Sequence, residues 1–434
     1  MESRASDYHL AWLSPMPPAR TDIAQYSRRV IHHLDKLVPL TVYPEGPAQG
    51  AFCRGDGFAL AGDAAERIGC SGRLPVINIG NNAQFHRHCV AVARKLPGIV
   101  IAHDFGLQNI VLGIVQHEFG GVEAYFRIME GLYGEDGRQA AENVLSGACE
   151  PHDVADRFPM IEWVARKALL MITHNPTLVE PLARRTGRPV AALPLPFEVP
   201  EAAPPRQGGD GPIRLVQFGY IGRNRCLSNL IRALARQRDP SHFRLDVYGQ
   251  VEQHDEIRRL IGDAGLDRVV GLHGFVDEAA LDSALGSADL VVNLRSPTVG
   301  EASGSQLRIF AAGASGVVVR AGWYDTLPDA AVIKIDPRRI DAELDALLGQ
   351  LESDRHVFRE TGMVGHAFAR REHIPEIYAK RFADLIANMP EIMREAAARE
   401  MLERLLTRGG SAEMNRVLYR RARESLGLAT FANF

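Results

Sequence analysis

The stretch 213–222, "IRLVQFGYIG", decides the fold because an apolar strand pattern runs directly into a glycine turn. The segment before it, "PEAAPPRQGGDGP" (200–212), is rich in proline and glycine and has no periodicity, which is typical of an interdomain linker. A strand that begins directly after such a linker indicates a second domain. At 434 residues the chain also exceeds the length at which one core stops growing.

Short apolar runs alternate with amphipathic stretches on both sides of this linker, and such alternation predicts α/β domains with parallel sheets. Ligands of open parallel sheets bind outside the carboxyl ends of the strands, so the loops there are the candidate sites. Six strands are predicted before the linker, at 9–13, 40–43, 75–80, 98–103, 168–173 and 190–193, and six after it, at 213–222, 243–249, 269–274, 288–294, 316–320 and 331–335.

The sequence predicts four segments: an N-terminal domain over 1–200, a C-terminal domain over 213–373, a helix over 374–390 and a helical tail over 391–434. The tail contains "EIMREAAAREMLERLLTR" (391–408), a strong helix former with Glu and Arg four residues apart. We expect this tail to pack on the body or to form an oligomer contact.

The composition is that of an ordinary globular protein, with 46% hydrophobic residues, 24% charged residues and a net charge of −3. This charge gives no reason to expect nucleic acid as a partner. The five cysteines are scattered without a CxxC pair, which argues against a disulfide framework and a zinc site. No signal peptide and no apolar run of about 18 residues is visible, so a cytoplasmic location is predicted.

The segment "RSPTVGEASGSQLR" (295–308) places Glu301 just before Ser303, Gly304 and Ser305, where a predicted helix begins. A helix start offers unpaired N–H groups and a positive dipole end, which suit a phosphate, while a carboxylate suits sugar hydroxyls. The alternative is a simple cap, in which a serine satisfies the helix start and Glu301 is solvated.

Three further groups of polar residues follow predicted strands, and each has a structural alternative. Arg223 and Arg225 can neutralise a diphosphate leaving group or form a solvated basic loop. The pair His103 and Asp104 can contact a substrate or bond locally. The residues Gly80, Asn81 and Asn82 form either a turn or a loop that lines a ligand site.

Together these segments resemble the family 4 retaining glycosyltransferases (glycosyl transferases group 1), over about residues 9–387. The resemblance implies the GT-B fold of two facing Rossmann-like domains, the first for the acceptor and the second for the donor, with 374–390 crossing back to the first. It rests on the order of "SPMPPARTDIAQYS" (14–27), "NIGNN" (78–82), "HD" (103–104), "THNPT" (173–177), "FGYIGRNR" (218–225), "LHGFVDEAALDSALGSADLVVNLR" (272–295) and "GEASGSQLRIFAAGASGVVV" (300–319).

The resemblance also implies roles for individual residues. Glu301 matches the glutamate that holds the donor sugar hydroxyls, the amides of 303–305 bind the diphosphate, and Arg225 replaces the usual lysine. His103 matches a histidine beside the donor sugar. The base is read by the backbone of Gly274, Phe275 and Val276, while Asp22, Asn81, Asn82 and Asp104 belong to the acceptor side.

Three positions depart from the family pattern. Asp22 stands where the first-domain loop usually has glycine, and Tyr220 replaces a basic residue. The second glutamate of the family pair is absent, with Arg308 or Ile309 in its neighbourhood. These departures indicate a divergent subgroup or an inactive homologue.

The function implied is retaining transfer of a sugar from a nucleoside diphosphate donor to a hydroxyl acceptor, either a glycan or a lipid-linked glycan. No protein nucleophile, metal or cofactor is implied, because the leaving diphosphate accepts the proton of the acceptor. The alternatives are a nucleotide-sugar-binding subunit without activity and a sugar-nucleotide epimerase. The basic helix "AQYSRRVIHHLDKL" (24–37) is either an ordinary Rossmann helix or a peripheral contact with the inner face of a membrane.

Overall fold

The structure, a computed structural model, describes residues 4–46, 57–118, 120–206, 211–298, 300–394 and 397–398. The chain divides into two compact units. Unit 1 contains the chain up to Pro194 together with the part from Tyr378 onward, and unit 2 is Leu195–Ile377.

Unit 1 is built on a parallel sheet of six strands, β1 (Leu10–Pro15), β2 (Leu40–Glu45), β3 (Leu74–Ile79), β4 (Gly98–Ala102), β5 (Ala168–Thr173) and β6 (Val190–Ala192). Their order is β2-β1-β3-β4-β5-β6. Every residue of β1, β2 and β4 is buried, as expected of parallel strands covered on both faces. The helices are α1 (Asp22–Leu34), α2 (Ala64–Gly69), α3 (Ala83–Lys95), α4 (Gln108–Glu118), α5 (Val122–Leu145), α6 (Ile161–Ala165) and α7 (Val179–Thr186).

Unit 2 contains a second parallel sheet of six strands, β7 (Ile213–Phe218), β8 (Phe243–Tyr248), β9 (Val270–Gly274), β10 (Leu290–Val292), β11 (Gly316–Val319) and β12 (Ile333–Ile335). Their order is β12-β11-β10-β7-β8-β9. The helices are α8 (Leu227–Ala235), α9 (His254–Asp263), α10 (Glu278–Ser287), α11 (Gly304–Ala311), α12 (Ile340–Ser353) and α13 (Arg359–Glu372), and α14 (Pro375–Ala387) follows. All the predicted strands are present, so the predicted α/β class is confirmed.

The strand order of each sheet reverses direction at one point. In unit 1 the reversal separates β1 from β3, and in unit 2 it separates β7 from β10. Loops that leave neighbouring strands at a reversal diverge to opposite faces and open a crevice at the carboxyl edge, where ligands of such sheets bind. The loops after β7 and β10 therefore border a candidate site.

The division between the units falls at Leu195, ahead of the predicted linker at 200–212. The segment that follows is bonded to the end of unit 2: the Phe197 amide donates to the His373 carbonyl (2.6 Å), and His373 Nδ1 donates to the Leu195 carbonyl (2.8 Å). Arg370 Nη1 donates to the Val199 carbonyl at 3.0 Å. Composition cannot reveal these long-range bonds, which join residues 195–199 to the end of unit 2.

The helix predicted at 374–390 forms as α14 and runs across the division into unit 1. Of the predicted tail at 391–434, residues 391–394 and 397–398 are helical, and the remainder lies outside the described residues. No helix in the described part of the chain is long and apolar enough to span a membrane.

The basic segment at 24–37 forms most of α1. This helix buries Ala24, Tyr26, Ser27, Val30, Ile31 and Leu34, while its Arg28 and His32 are exposed, as is Lys36 in the turn that follows. One buried face and one charged face are expected of a helix that packs on a sheet. Contact of the charged face with a membrane stays a prediction.

Gly249, directly after β8, is required by a close approach of two backbones. Its φ is +111°, and a Cβ there would lie 2.1 Å from the Gly219 carbonyl oxygen. We expect Gly249→Ala to lower the free energy of unfolding by roughly 2–5 kcal/mol, because it adds a strained φ to a steric overlap. Urea unfolding measures the change. Gly262→Ala, on exposed helical backbone with open space around its Cβ position, is the control and should be neutral or stabilising; equal effects of the two variants would contradict the argument.

Candidate functional site

The loops after β7 and β10 contact one another at the strand-order reversal of unit 2. The Ser296 amide donates a hydrogen bond of 2.8 Å to the Asn224 carbonyl. A Cβ at Gly219 would lie 4.0 Å from Ser305 Oγ. The structure therefore brings together the two segments that the sequence singled out independently, 218–225 and 295–308.

Arg225 is a buried cation in this crevice, with only 2% of its surface exposed. Its Nη2 donates to the Phe218 carbonyl at 3.0 Å, and its own carbonyl accepts from Gln217 Nε2 at 2.7 Å. Its Nε and Nη1 are buried and have no hydrogen-bond partner among the described residues. Burial and the neighbouring charge of Arg295 lower the pKa of Arg225 to about 10, so the side chain remains protonated at neutral pH. Unpaired buried N–H groups are costly, which suggests that an anion completes this site.

Arg223 differs from Arg225 although both lie in the same short 3₁₀ turn. The Arg223 side chain is exposed. Arg223 is therefore solvated and Arg225 is buried, and a contact of Arg223 with a diphosphate stays a prediction.

Glu301 is neither solvated nor directed at open space. It forms an ion pair with Arg295, and the side chains of the two residues are only 13% and 24% exposed, respectively. The sequence patterns did not single out Arg295. The signal in the sequence was its position shortly after β10, at the same sheet edge as the candidate residues 303–305.

The start of α11 has the predicted form. Ser303 is the N-cap, and its Oγ accepts from the Gln306 amide at 3.1 Å. Gly304 and Ser305 occupy the first helical positions, whose N–H groups have no acceptor within a helix. A serine therefore caps the helix, and the binding of a phosphate by the amides of 303–305 stays a prediction.

The neighbourhood of the missing second glutamate is occupied by structural contacts. Arg308 donates to Asp282 Oδ1 through Nε (3.1 Å) and Nη2 (2.8 Å), which joins α11 to α10. Ile309 is fully buried. Neither residue takes the place of an acidic ligand.

The segment assigned to base recognition lies at the end of β9. Gly274 has φ +69°, its carbonyl accepts from the Gly249 amide at 2.6 Å, and Phe275 is 83% exposed. Val276 is half-buried. Beside them, the rings of Tyr248 and His273 stack with centroids 4.7 Å apart, so this edge offers a flat aromatic surface.

His103, in unit 1, follows β4 and is held by a hydrogen-bond chain. Asn78 Nδ2 donates to the Leu13 carbonyl at 3.1 Å, which fixes Asn78 Oδ1 as the acceptor for His103 Nε2 at 3.0 Å. The pKa of His103 is held well below its usual range. Burial is the main cause, and the neighbouring His174 and His86 lower the pKa further. The imidazole is therefore neutral, and its Nδ1 is a hydrogen-bond acceptor.

Aromatic rings surround His103. Tyr26 contacts it edge-on at 4.6 Å between centroids, and His174 lies at 5.0 Å. The Tyr26 hydroxyl shares a hydrogen bond of 2.5 Å with the Tyr378 hydroxyl of α14. Sequence reasoning missed this set, because residues 26 and 378 are far apart in the chain. The signal for His174 was its position directly after β5, which is equivalent to that of His103.

The other predicted residues of unit 1 lie in loops and helix starts, where Asn81, Asn82 and Asp104 have structural partners. Asp104 Oδ2 accepts from the Asn81 amide at 2.8 Å, and Asn81 Oδ1 accepts from the Ile110 amide at the start of α4 at 3.0 Å. Asn82 caps α3, and the exposed Asp22 lies in the first turn of α1. These bonds order the loops at the sheet edge, and a role toward an acceptor stays a prediction.

His86 lies beneath this loop as a buried neutral histidine. Its Nδ1 donates to the Asn78 carbonyl at 3.1 Å, and burial lowers its pKa to about 4. Because the unfolded chain binds a proton near pH 6.5 and the folded chain does not, stability falls as pH drops from 6.5 to 4, by about 3 kcal/mol for this group.

We expect His86→Gln to flatten the dependence of the free energy of unfolding on pH between 5 and 6.5. Urea unfolding at several pH values gives the slope. The exposed His254→Gln is the matched control and should leave the slope unchanged. A slope that is the same in all three proteins would contradict the assignment.

Within the described ranges, no group of three or more His, Cys, Asp or Glu side chains is placed to hold a metal ion. That the reaction needs no metal stays a prediction.

No family model matches the sequence, and no curated protein matches it. Solved structures do match. Sucrose-phosphate synthase from Thermosynechococcus elongatus has a TM-score of 0.57 at 14% identity, over 87% of this chain and 98% of that one. A glycosyltransferase from Rickettsia africae has a TM-score of 0.56 at 9% identity, over 88% and 98% of the two chains. HepE from Anabaena in complex with UDP has a TM-score of 0.55 at 13% identity, over 88% and 100%.

These neighbours are GT-B glycosyltransferases, and at such low identity the likeness concerns the fold alone. The matches cover 87% and 88% of this chain, which contains two six-stranded parallel sheets. The fold expected from the sequence is therefore confirmed: the chain has the GT-B fold.

Proposed function

We propose that the chain is a glycosyltransferase that moves a sugar from a nucleoside diphosphate donor to a hydroxyl group of an acceptor. The observation that carries the proposal is the buried Arg225, whose Nε and Nη1 have no partner among the described residues, beside the first amides of α11. A guanidinium and a helix start are complementary to a diphosphate. The GT-B fold supports the same assignment.

The diphosphate is the leaving group of such a transfer. Negative charge grows on it as the bond to the sugar breaks, and donors that are fixed in advance stabilise this charge. Arg225 is fixed by its bond to the Phe218 carbonyl, and the amides of Gly304 and Ser305 are fixed by the cap on Ser303. The site thus binds the diphosphate more strongly as the reaction proceeds.

We propose retention at the anomeric carbon without a metal or a protein nucleophile, as the family resemblance implies. In unit 1, the neutral His103 is assigned to the donor sugar. Its Nδ1 can accept a hydrogen bond from a hydroxyl without adding positive charge, because Nε2–H is committed to Asn78. Glu301 is assigned to the sugar hydroxyls of the donor.

Uridine is the base to test first, since HepE, a neighbour of the same fold, has been solved with UDP and with UDP-glucose. In this chain the base would lie against the exposed segment 274–276. The acceptor, a glycan or a lipid-linked glycan, is not specified by any contact described above and follows from the family resemblance alone.

The test is a thermal-shift screen of the full chain with UDP, GDP, ADP, CDP and dTDP, followed by NMR of the anomeric proton during incubation with UDP-glucose and a hydroxyl acceptor. A ligand at 100 times its dissociation constant adds about 2.7 kcal/mol to the free energy of unfolding. We expect one base to stabilise the chain most, and transfer to occur with retention.

Three outcomes would decide against parts of this proposal. Stabilisation by none of the nucleotides would remove the donor site. Stabilisation without turnover would favour the binding subunit. Conversion of the donor sugar without an acceptor would favour an epimerase.

A further inference from the structure

The guanidinium of Arg295, in the loop after β10, has more hydrogen-bond donors than its contacts with the described residues use. One of its Nη atoms pairs with Glu301, while its Nε is buried and has no hydrogen-bond partner among the described residues. The guanidinium is a planar fork of five donors suited to carboxylate or phosphate. The pair with Glu301 therefore satisfies only part of the side chain.

Charge at this position is also unbalanced. Arg295 lies close enough to Arg225 to disfavour the charge of Arg225, and Arg225 has no carboxylate partner in the part of the chain that the structure describes. Of these two guanidinium groups, Arg295 is thus paired with a carboxylate, and the buried Arg225 is not. Buried charges are costly unless they are compensated, and a diphosphate would compensate both.

We propose that Arg295 is a second diphosphate-binding residue, and that it exchanges its ion pair with Glu301 for the donor diphosphate, which releases Glu301 to the sugar hydroxyls. This inference rests on the proposed function, because it concerns the same donor.

The position of Tyr220 agrees with this assignment. It lies in the loop after β7, where the family resemblance implies a basic residue, and its side chain is 59% exposed. Arg295 lies in the loop after β10, and the Ser296–Asn224 hydrogen bond holds these two loops together. The charge missing from one side of the crevice is thus supplied from the other side.

The exchange predicts effects of opposite sign for two ligands, measured by calorimetry with UDP and with UDP-glucose. Glu301→Gln should bind UDP about 3- to 10-fold more tightly, because Arg295 is released and a negative charge is removed. The same variant should bind UDP-glucose about 10-fold or more weakly relative to UDP, because the sugar loses its carboxylate. Arg295→Gln should weaken both ligands by about 10- to 100-fold.

A third variant tests the coupling of the two residues. In the double variant Arg295→Gln/Glu301→Gln, removal of Glu301 should no longer improve UDP binding, so the two effects are not additive. Asp282→Asn is the matched control, because it removes a carboxylate from the ion pair Arg308–Asp282, which joins α11 to α10, and it should change both affinities less than about twofold. Arg295→Lys keeps the charge and should recover part of the UDP affinity, and a melting curve of each variant confirms its fold.

Two different failures can be told apart. If the wild-type chain binds UDP but Arg295→Gln binds it equally well, or if Glu301→Gln weakens UDP and UDP-glucose alike, the exchange is refuted while the donor site stands. If the wild-type chain binds neither ligand, the proposed uridine-dependent transfer fails, and the exchange fails with it.

Discussion

Replacing Arg225 by glutamine is expected to lower kcat/KM for the donor by about 10³-fold, since removal of one fixed donor to a leaving group costs about 10²–10³ and this donor also carries the charge. The loss should fall mainly on kcat, because charge develops on the diphosphate in the transition state. Steady-state kinetics with UDP-glucose measure it. The hydrogen bond from Gln217 to the backbone carbonyl of residue 225 does not depend on the side chain and should persist.

Arg223→Gln is the matched control for this variant. It removes the same charge from the same turn, but from an exposed side chain, and should reduce kcat/KM by less than about 10-fold. Arg225→Lys should recover part of the rate. Equal losses for Arg223→Gln and Arg225→Gln would mean that the crevice acts only through its general positive potential.

Ser305→Asp is expected to separate stability from donor binding. A carboxylate in the first turn of α11 interacts favourably with the helix dipole, so the free energy of unfolding should stay unchanged or rise by about 0.3–1 kcal/mol. The same charge would lie where the diphosphate is proposed to bind, and donor affinity should fall by at least about 100-fold through repulsion and lost access to the amides. Urea unfolding and calorimetry with UDP measure the two quantities on one sample.

The control is Ala342→Asp, which adds a carboxylate to the exposed first turn of α12, a helix that follows the edge strand β12. It should leave UDP affinity within about twofold of wild type, because the added carboxylate is exposed to solvent and lies outside the loops after β7 and β10. Undiminished UDP binding by Ser305→Asp would remove the start of α11 from the donor site.

The strands were predictable because parallel strands buried on both faces are runs of β-branched and aliphatic residues, as in "GIVIA" (98–102) and "GVVV" (316–319). The cap at Ser303 was also predictable, since a serine before a helical run is a local signal. For the same reason the position of Arg225, in a turn between a strand and a helix, followed from its immediate neighbours.

The features that the sequence did not predict depend on contacts between residues that are not at regular spacings in the chain. The burial that separates Arg225 from Arg223 arises from the packing of the loop, and the Arg295–Glu301 pair forms within an irregular loop. The Tyr26–Tyr378 bond joins elements at opposite ends of the chain. Each contact requires the fold to exist before the residues can meet, so no pattern of spacing predicts it.

The division of the chain has a consequence for its synthesis. Unit 2 is one continuous stretch, whereas unit 1 is completed only by residues from Tyr378 onward. Phe382 and Tyr378 of α14 pack against Trp12 and Tyr26, so this aromatic face lacks its cover until the chain beyond unit 2 has emerged. On the ribosome, unit 2 is therefore the first unit that can fold completely. Unit 1 must wait for the chain from Tyr378 onward, and until then its aromatic side chains are open to aggregation or to a chaperone.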